Sequence, residues 1–181
     1  MTRCYDKGLM LLGLNKIHAP RERYEKVYPP GAFSSDGEVF RVVAPVSLAF
    51  DIVKDKQHFQ LIGTVKTTLE LLCSRCVEPF TLPVDGAFDL RYQPRSTNVG
   101  EGEREIEEDD LTTAFYENEE IDLGQLMREQ FYLSLPMKPL CRADCRGLCP
   151  VCGTNLNRGT CDCKRNWEDP RLAVLKTLKG E

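Results

Sequence analysis

From Val42 onward the apolar side chains fall on alternate positions. Val42, Ala44, Val46, Leu48, Phe50 and Ile52 make one row, the period-two signature of a strand with one buried face. The polar stretch Lys54–His58 turns the chain. Leu61, Gly63, Val65, Thr67, Leu69 and Leu71 then form a second row, with Lys66, Thr68 and Glu70 opposite. The third row is the cleanest: Phe80, Leu82, Val84, Phe88, Leu90 and Tyr92 face inward, and Thr81, Asp85, Asp89 and Arg91 face out. Three long strands joined by short turns predict an antiparallel β-meander, as a sheet or a partly closed barrel.

The period changes after Asp122, which is placed as an N-cap. Leu123, Leu126, Met127 and Phe131 follow at helical spacing and predict a helix over about 122–135 that covers the sheet. Pro136 and Pro139 end it. Leu111–Tyr116 is expected to be a further short strand, and Glu22–Val27 a short helix closed by Pro29-Pro30-Gly31. Leu9–Leu14 is taken as a core-facing segment, not a signal-peptide core, because Asp6 interrupts the basic region and no small-residue cleavage pattern follows. Asp169-Pro170 predicts a last helix with Leu172, Leu175 and Leu178 as its apolar stripe. The fold class is therefore α+β. Residues 1–138 form a β-rich domain, and residues 139–181 a small cysteine-rich module ending in a short helix.

Composition adds little except in one place. The apolar share of 41% and charged share of 29% are those of a globular chain, with no apolar run of membrane-spanning length. The net charge of -4 hides an acidic insert: residues 100–122 carry eleven acidic side chains and one basic one. Gly100–Asp110 repels itself and is expected to be a mobile loop; elsewhere the chain is mildly basic.

The chemistry lies in the nine cysteines. Eight of them pair off as Cys73/Cys76, Cys141/Cys145, Cys149/Cys152 and Cys161/Cys163, leaving Cys4 over. A cytoplasmic location, the expectation in the absence of a secretory leader, favours metal over disulfides. Zinc takes four thiolates in a tetrahedron, and a C-x-x-C turn delivers two of them. Gly153 permits the left-handed backbone such a turn needs, and Cys161-Asp-Cys163 supplies a second pair from extended chain. Cys149, Cys152, Cys161 and Cys163 thus make a local site. Cys141 and Cys145 are most simply completed by Cys73 and Cys76 at the tip of the second and third strands, a composite site clamping the module to the sheet. Other pairings remain open, notably Cys141, Cys145, Cys149 and Cys152 together. One or two zinc ions per chain are expected.

Closed four-thiolate sites are staples without an open position for chemistry, and small modules need such staples. Cys73-Ser-Arg-Cys76 joins two strands, whereas a thiol–disulfide oxidoreductase usually places this motif at a helix N-terminus. No phosphate loop, nucleophile elbow or H-E-x-x-H pattern occurs, so no enzyme is expected. Basic residues crowd the cysteines, and Arg75, Arg142, Arg146, Lys164 and Arg165 are candidates for RNA phosphates. Their other role is to offset the charge of about -2 on each zinc–thiolate centre.

Several stretches resemble a known family. Cys73-Ser-Arg-Cys76 with Glu78-Pro79-Phe80, Glu120-Ile121-Asp122-Leu123, and Leu135-Pro136-Met137-Lys138-Pro139-Leu140-Cys141 are similar to the YceD-type large ribosomal RNA subunit accumulation proteins. Gly147-Leu148-Cys149-Pro150-Val151-Cys152-Gly153, Asn155-Leu156-Asn157, Cys161-Asp-Cys163 and Asp169-Pro170-Arg171-Leu172 resemble its cysteine-rich branch. The resemblance implies a non-catalytic bacterial or plastid factor for large-subunit ribosomal RNA. Its partners would be the RNA precursor or the assembling large subunit, and no membrane. The alternatives are an adaptor that docks an RNA-processing enzyme or assembly factor, using residues 100–122, and a thiol oxidoreductase.

Overall fold

In this computed structural model the described residues are 10–33, 37–94 and 113–163. The strands are β1 (Leu11–Gly13), β2 (Arg21–Tyr28), β3 (Phe40–Val42), β4 (Val46–Asp55), β5 (His58–Leu72), β6 (Pro79–Pro94), β7 (Thr113–Tyr116) and β8 (Glu120–Asp122); one helix, α1 (Leu123–Ser134), follows. The main sheet is open, not a barrel, in the order β2-β4-β5-β6-β7, with β3 also paired to β5. β1 and β8 form a separate antiparallel ribbon.

The meander β4–β5–β6 has the register its apolar rows require. Phe50 faces Gly63, and Gly63 faces Phe88. A Cβ on Gly63 would lie 2.3 Å from the Ala49 carbonyl oxygen and 2.4 Å from the Phe50 Cβ, so the close approach of β4 and β5 admits only glycine. On the inner face Val46, Leu48, Ile52, Leu61, Val65 and Leu69 are fully buried. The outer face carries cross-strand charge pairs, Lys66–Asp85 at 2.9 Å, Arg41–Glu70 at 2.6 Å and Arg21–Asp51 at 2.7 Å. Such a sheet is apolar on one face and wetted on the other.

Asp122 caps α1 as expected, its carboxylate accepting from the Gln125 backbone N–H at 3.0 Å. Leu123, Leu126, Met127 and Phe131 are fully buried against the sheet. The Phe131 ring meets Phe33 and Phe40 edge-on, with centroids 5.6 and 5.8 Å away. Among the described residues no helix is long and apolar enough to cross a membrane.

Four expectations are corrected. Glu22–Val27 is not helical but lies within β2, paired antiparallel with β4. Tyr24 stacks on Phe50 at 5.4 Å, and sheet pairing overrides the helical propensity of a charged segment. The row from Val42 to Ile52 is not one strand. The chain bends between β3 and β4, where Pro45 has no N–H for the ladder, and the register against β5 shifts by two residues. A shift of two preserves which face each side chain occupies, so the apolar row stays continuous across the break. The sheet is mixed, not purely antiparallel, because β7 runs parallel to β6. The turn expected over Lys54–His58 narrows to Lys56-Gln57, with Lys56 at φ 55°. The acidic insert at 100–110, the last helix and Cys4 lie outside the described residues.

Candidate metal centres

The hairpin β5–β6 closes through Cys73-Ser-Arg-Cys76, and the same turn recurs at Cys149-Pro-Val-Cys152. Each first cysteine donates its N–H to the carbonyl five residues on, Cys73 to Glu78 at 2.9 Å and Cys149 to Thr154 at 2.8 Å. Its own carbonyl accepts from the residue four on, Val77 or Gly153, at 2.9 Å in both. Its sulfur accepts from the N–H two residues on, Arg75 at 3.5 Å or Val151 at 3.4 Å. The residue after the second cysteine is left-handed in both turns, φ 73° at Gly153 and φ 59° at Val77. Glycine takes that backbone freely, while a β-branched residue is strained there.

These turns bring the cysteines into two quartets. In each of Cys73, Cys76, Cys141, Cys145 and Cys149, Cys152, Cys161, Cys163 the sulfurs lie within 4.8 Å of one another. The first is the composite of hairpin and module, and the second is local. Cys141, Cys145, Cys149 and Cys152 do not form a quartet. Tetrahedral four-sulfur coordination puts sulfurs about 3.8 Å apart; Cys73–Cys145 and Cys76–Cys141 are both at 3.7 Å. All eight are free thiols, with Cys73, Cys76, Cys145 and Cys149 buried and Cys152 exposed.

The thiols of each quartet split. Burial pushes the Cys73 thiol up, but N–H groups directed at its sulfur outweigh this and lower it to about 6. Partial burial, and then hydrogen bonding to Cys76 and Cys145, raise Cys141 to about 12. The Thr154 hydroxyl, 3.1 Å from its sulfur, helps lower Cys152 to about 6. Hydrogen bonding to Cys152 and then burial raise Cys163 to about 12. A crowded quartet cannot hold four negative charges without a cation at its centre. The residues present fit a thiophilic divalent ion.

The module is tied to the hairpin by more than sulfur. Ser74 N–H donates to the Pro139 carbonyl at 2.8 Å, and Leu148 N–H to the Arg75 carbonyl at 3.1 Å. The Arg75 guanidinium donates to the Cys145 carbonyl at 2.8 Å, and Arg158 pairs with Glu78 at 2.5 Å. Of the five basic residues singled out for RNA, Arg75 and Arg142 therefore have structural partners, Arg146 is exposed, and Lys164 and Arg165 lie outside the described residues. The loop Thr154–Thr160 adds two residues that the cysteine spacing does not point to, Thr154 beside the Cys152 sulfur and Asn157 beside the Cys145 sulfur. Only the density of Asn residues there hinted at side-chain bonding to nearby backbone.

The family profile described as large ribosomal RNA subunit accumulation protein YceD matches residues 61–179. A Zea mays protein named large ribosomal RNA subunit accumulation protein YCED homolog 1, chloroplastic, is 30% identical, over 97% of this chain and 67% of its own length. The Arabidopsis thaliana protein of the same name is 28% identical, over 76% of this chain and 49% of its own, so the chain spans about half of that relative. An uncharacterized protein of Mycobacterium tuberculosis is 34% identical over 88% of this chain and 74% of its own length. No solved structure gives a significant match. The second and third strand rows, the hairpin cysteines and most of the tail fall inside the span 61–179, and the chain belongs to the YceD family of large ribosomal RNA subunit accumulation proteins.

Proposed function

We propose that the chain is a non-catalytic ribosome-biogenesis factor that supports accumulation of large-subunit ribosomal RNA, with one zinc ion in each cysteine quartet. The names of its relatives support the ribosomal role. The observation that carries the metal reading is the convergence of two hairpin and two module cysteines on one centre, within 4.8 Å. Zinc there would act as a staple, fixing a basic module on a long rigid hairpin. The exposed Arg146 and the chain from Cys163 into Lys164 and Arg165 would meet RNA phosphates of the precursor or the assembling large subunit.

Neither C-x-x-C turn opens a helix among the described residues, so Cys73 lacks the dipole that activates oxidoreductase thiols. The deciding experiment has two parts. Metal analysis of reduced protein should return close to two zinc ions per chain. Gradient sedimentation with large-subunit precursors should show association that falls with salt and weakens in Arg146→Glu. Zinc-loaded protein that never co-sediments with such particles would end the ribosomal-binding reading, and a metal-free folded chain would end the staple. An adaptor role is the second reading, favoured by a groove of about 740 Å³ around Tyr92 whose lining includes Glu117, Glu120, Asp122 and Glu129 and none of the cysteines.

A further inference from the structure

The two quartets differ in how far solvent reaches them. In the composite quartet Cys73, Cys145 and Cys76 are 1%, 2% and 3% exposed, and Phe80 and Leu140 pack against them. In the local quartet only Cys149 is buried; Cys161 and Cys163 are partly exposed and Cys152 is exposed. The surroundings of Cys152 are open as well. Val151 beside it is 57% exposed, and a Cβ on Gly153 or Gly159 would meet nothing within 4 Å among the described residues.

The Cys152 sulfur nonetheless lies within 4.8 Å of the other three sulfurs of its quartet. Redox-sensing cysteines combine these two features, an accessible sulfur and a second thiol close enough to resolve it. Cys163 is the better placed for the second role. It lies outside any helix or strand, and its sulfur hydrogen-bonds to the Cys152 sulfur. Cys149, by contrast, is held in its turn by hydrogen bonds with Thr154, Gly153 and Val151.

We propose that the local quartet is a peroxide-sensitive site, at which Cys152 and Cys163 are oxidised to a disulfide and one zinc ion is released while the composite quartet stays loaded. This rests on the zinc reading above. The Cys152 thiolate attacks the terminal oxygen of a hydroperoxide, forming an S–O bond as the O–O bond breaks. The departing oxygen takes up a proton and leaves as alcohol or water. The Cys163 sulfur then attacks the sulfenic acid on Cys152, closing the S–S bond and expelling hydroxide, which is protonated to water. Two electrons have passed from the two thiolates to the peroxide. Cys149 and Cys161 remain as thiols, too few to hold the ion. Residues 139–148 stay on the hairpin through Cys141, Cys145 and the Ser74–Pro139 and Leu148–Arg75 hydrogen bonds. Oxidation therefore frees the 149–163 segment and leaves the sheet folded.

The test treats the full, reduced, zinc-loaded chain with hydrogen peroxide. A chromophoric chelator reads the zinc released, and alkylation with non-reducing peptide mapping reads the sulfurs. About one of the two zinc ions should leave, Cys152 should be found bonded to Cys163, and dithiothreitol with added zinc should restore the second ion. Cys152→His keeps a zinc ligand at that position and should slow the release at least roughly tenfold, since the thiolate is the group that attacks. If that variant does not hold two ions, the wild-type disulfide map decides alone. Fewer than two ions before peroxide is added overturns the zinc reading and this proposal with it. The proposal alone is overturned by two ions that peroxide leaves in place, by joint loss of both, or by earlier loss from the composite quartet. A disulfide other than Cys152–Cys163, or unslowed release from zinc-loaded Cys152→His, overturns it equally.

Discussion

The side-chain amide of Asn157 donates to the Cys145 sulfur at 3.3 Å. Its carbonyl oxygen accepts from the Arg146 N–H and the Arg142 guanidinium, each at 2.8 Å. Asn157 belongs to the loop between Cys152 and Cys161, so one residue of the local quartet's loop supports a ligand of the composite quartet. That amide, together with the Leu156 N–H donating to the Gly147 carbonyl at 2.9 Å, couples the two centres.

Removing that amide should loosen one centre selectively. Asn157→Ala is expected to weaken the composite site roughly tenfold or more, the usual consequence of losing a partner that orients a metal ligand. Chelator competition should resolve two release phases, with only one accelerated. Equal acceleration of both, or of neither, would count against the coupling.

Substituting ligands should separate the two quartets. Cys76→Ser and Cys152→Ser should each reduce zinc from about two ions per chain to about one. Cys76→Ser should also lower the unfolding midpoint strongly, because Cys76 is buried and joins the hairpin to the module. Cys152 is exposed, and its loss should chiefly make the 149–163 segment protease-sensitive. Calorimetry and limited proteolysis check both.

Val77 stands where the second turn has glycine, at φ 59°, and is 57% exposed. Val77→Gly relieves backbone strain at little packing cost and should stabilise the loaded protein by about 1 kcal/mol. Val77→Asn should act in the same direction. Denaturant melts of the two variants give the sign directly.

Metal uptake should release protons. At pH 7.5 the raised thiols, Cys76 and Cys141 in one quartet and Cys161 and Cys163 in the other, are protonated before binding. Each ion should therefore displace at least about two protons. Affinity should fall as pH falls from 7.5 toward 5, since protons then compete also for the lowered thiols Cys73 and Cys152. Titration calorimetry in buffers of different ionisation enthalpy measures the number released.

Sequence alone determined what is local. The inward rows of β5 and β6, the Asp122 cap, the buried stripe of α1 and the pairing of cysteines within each turn all follow from neighbours a few residues apart. Periodicity reports which face is buried. It does not report what covers that face, and so it placed Glu22–Val27 in a helix when β4 was waiting to pair with it.

Tertiary structure decided what spans the chain. Cys73 and Cys145 are 72 residues apart, and only the return of the chain after α1 past the tip of the β5–β6 hairpin brings their sulfurs together. The parallel entry of β7, the two-residue register shift at β3–β4 and the groove around Tyr92 have the same origin. Each is the lowest-energy packing of distant segments that carry no mark of one another in their own order of residues.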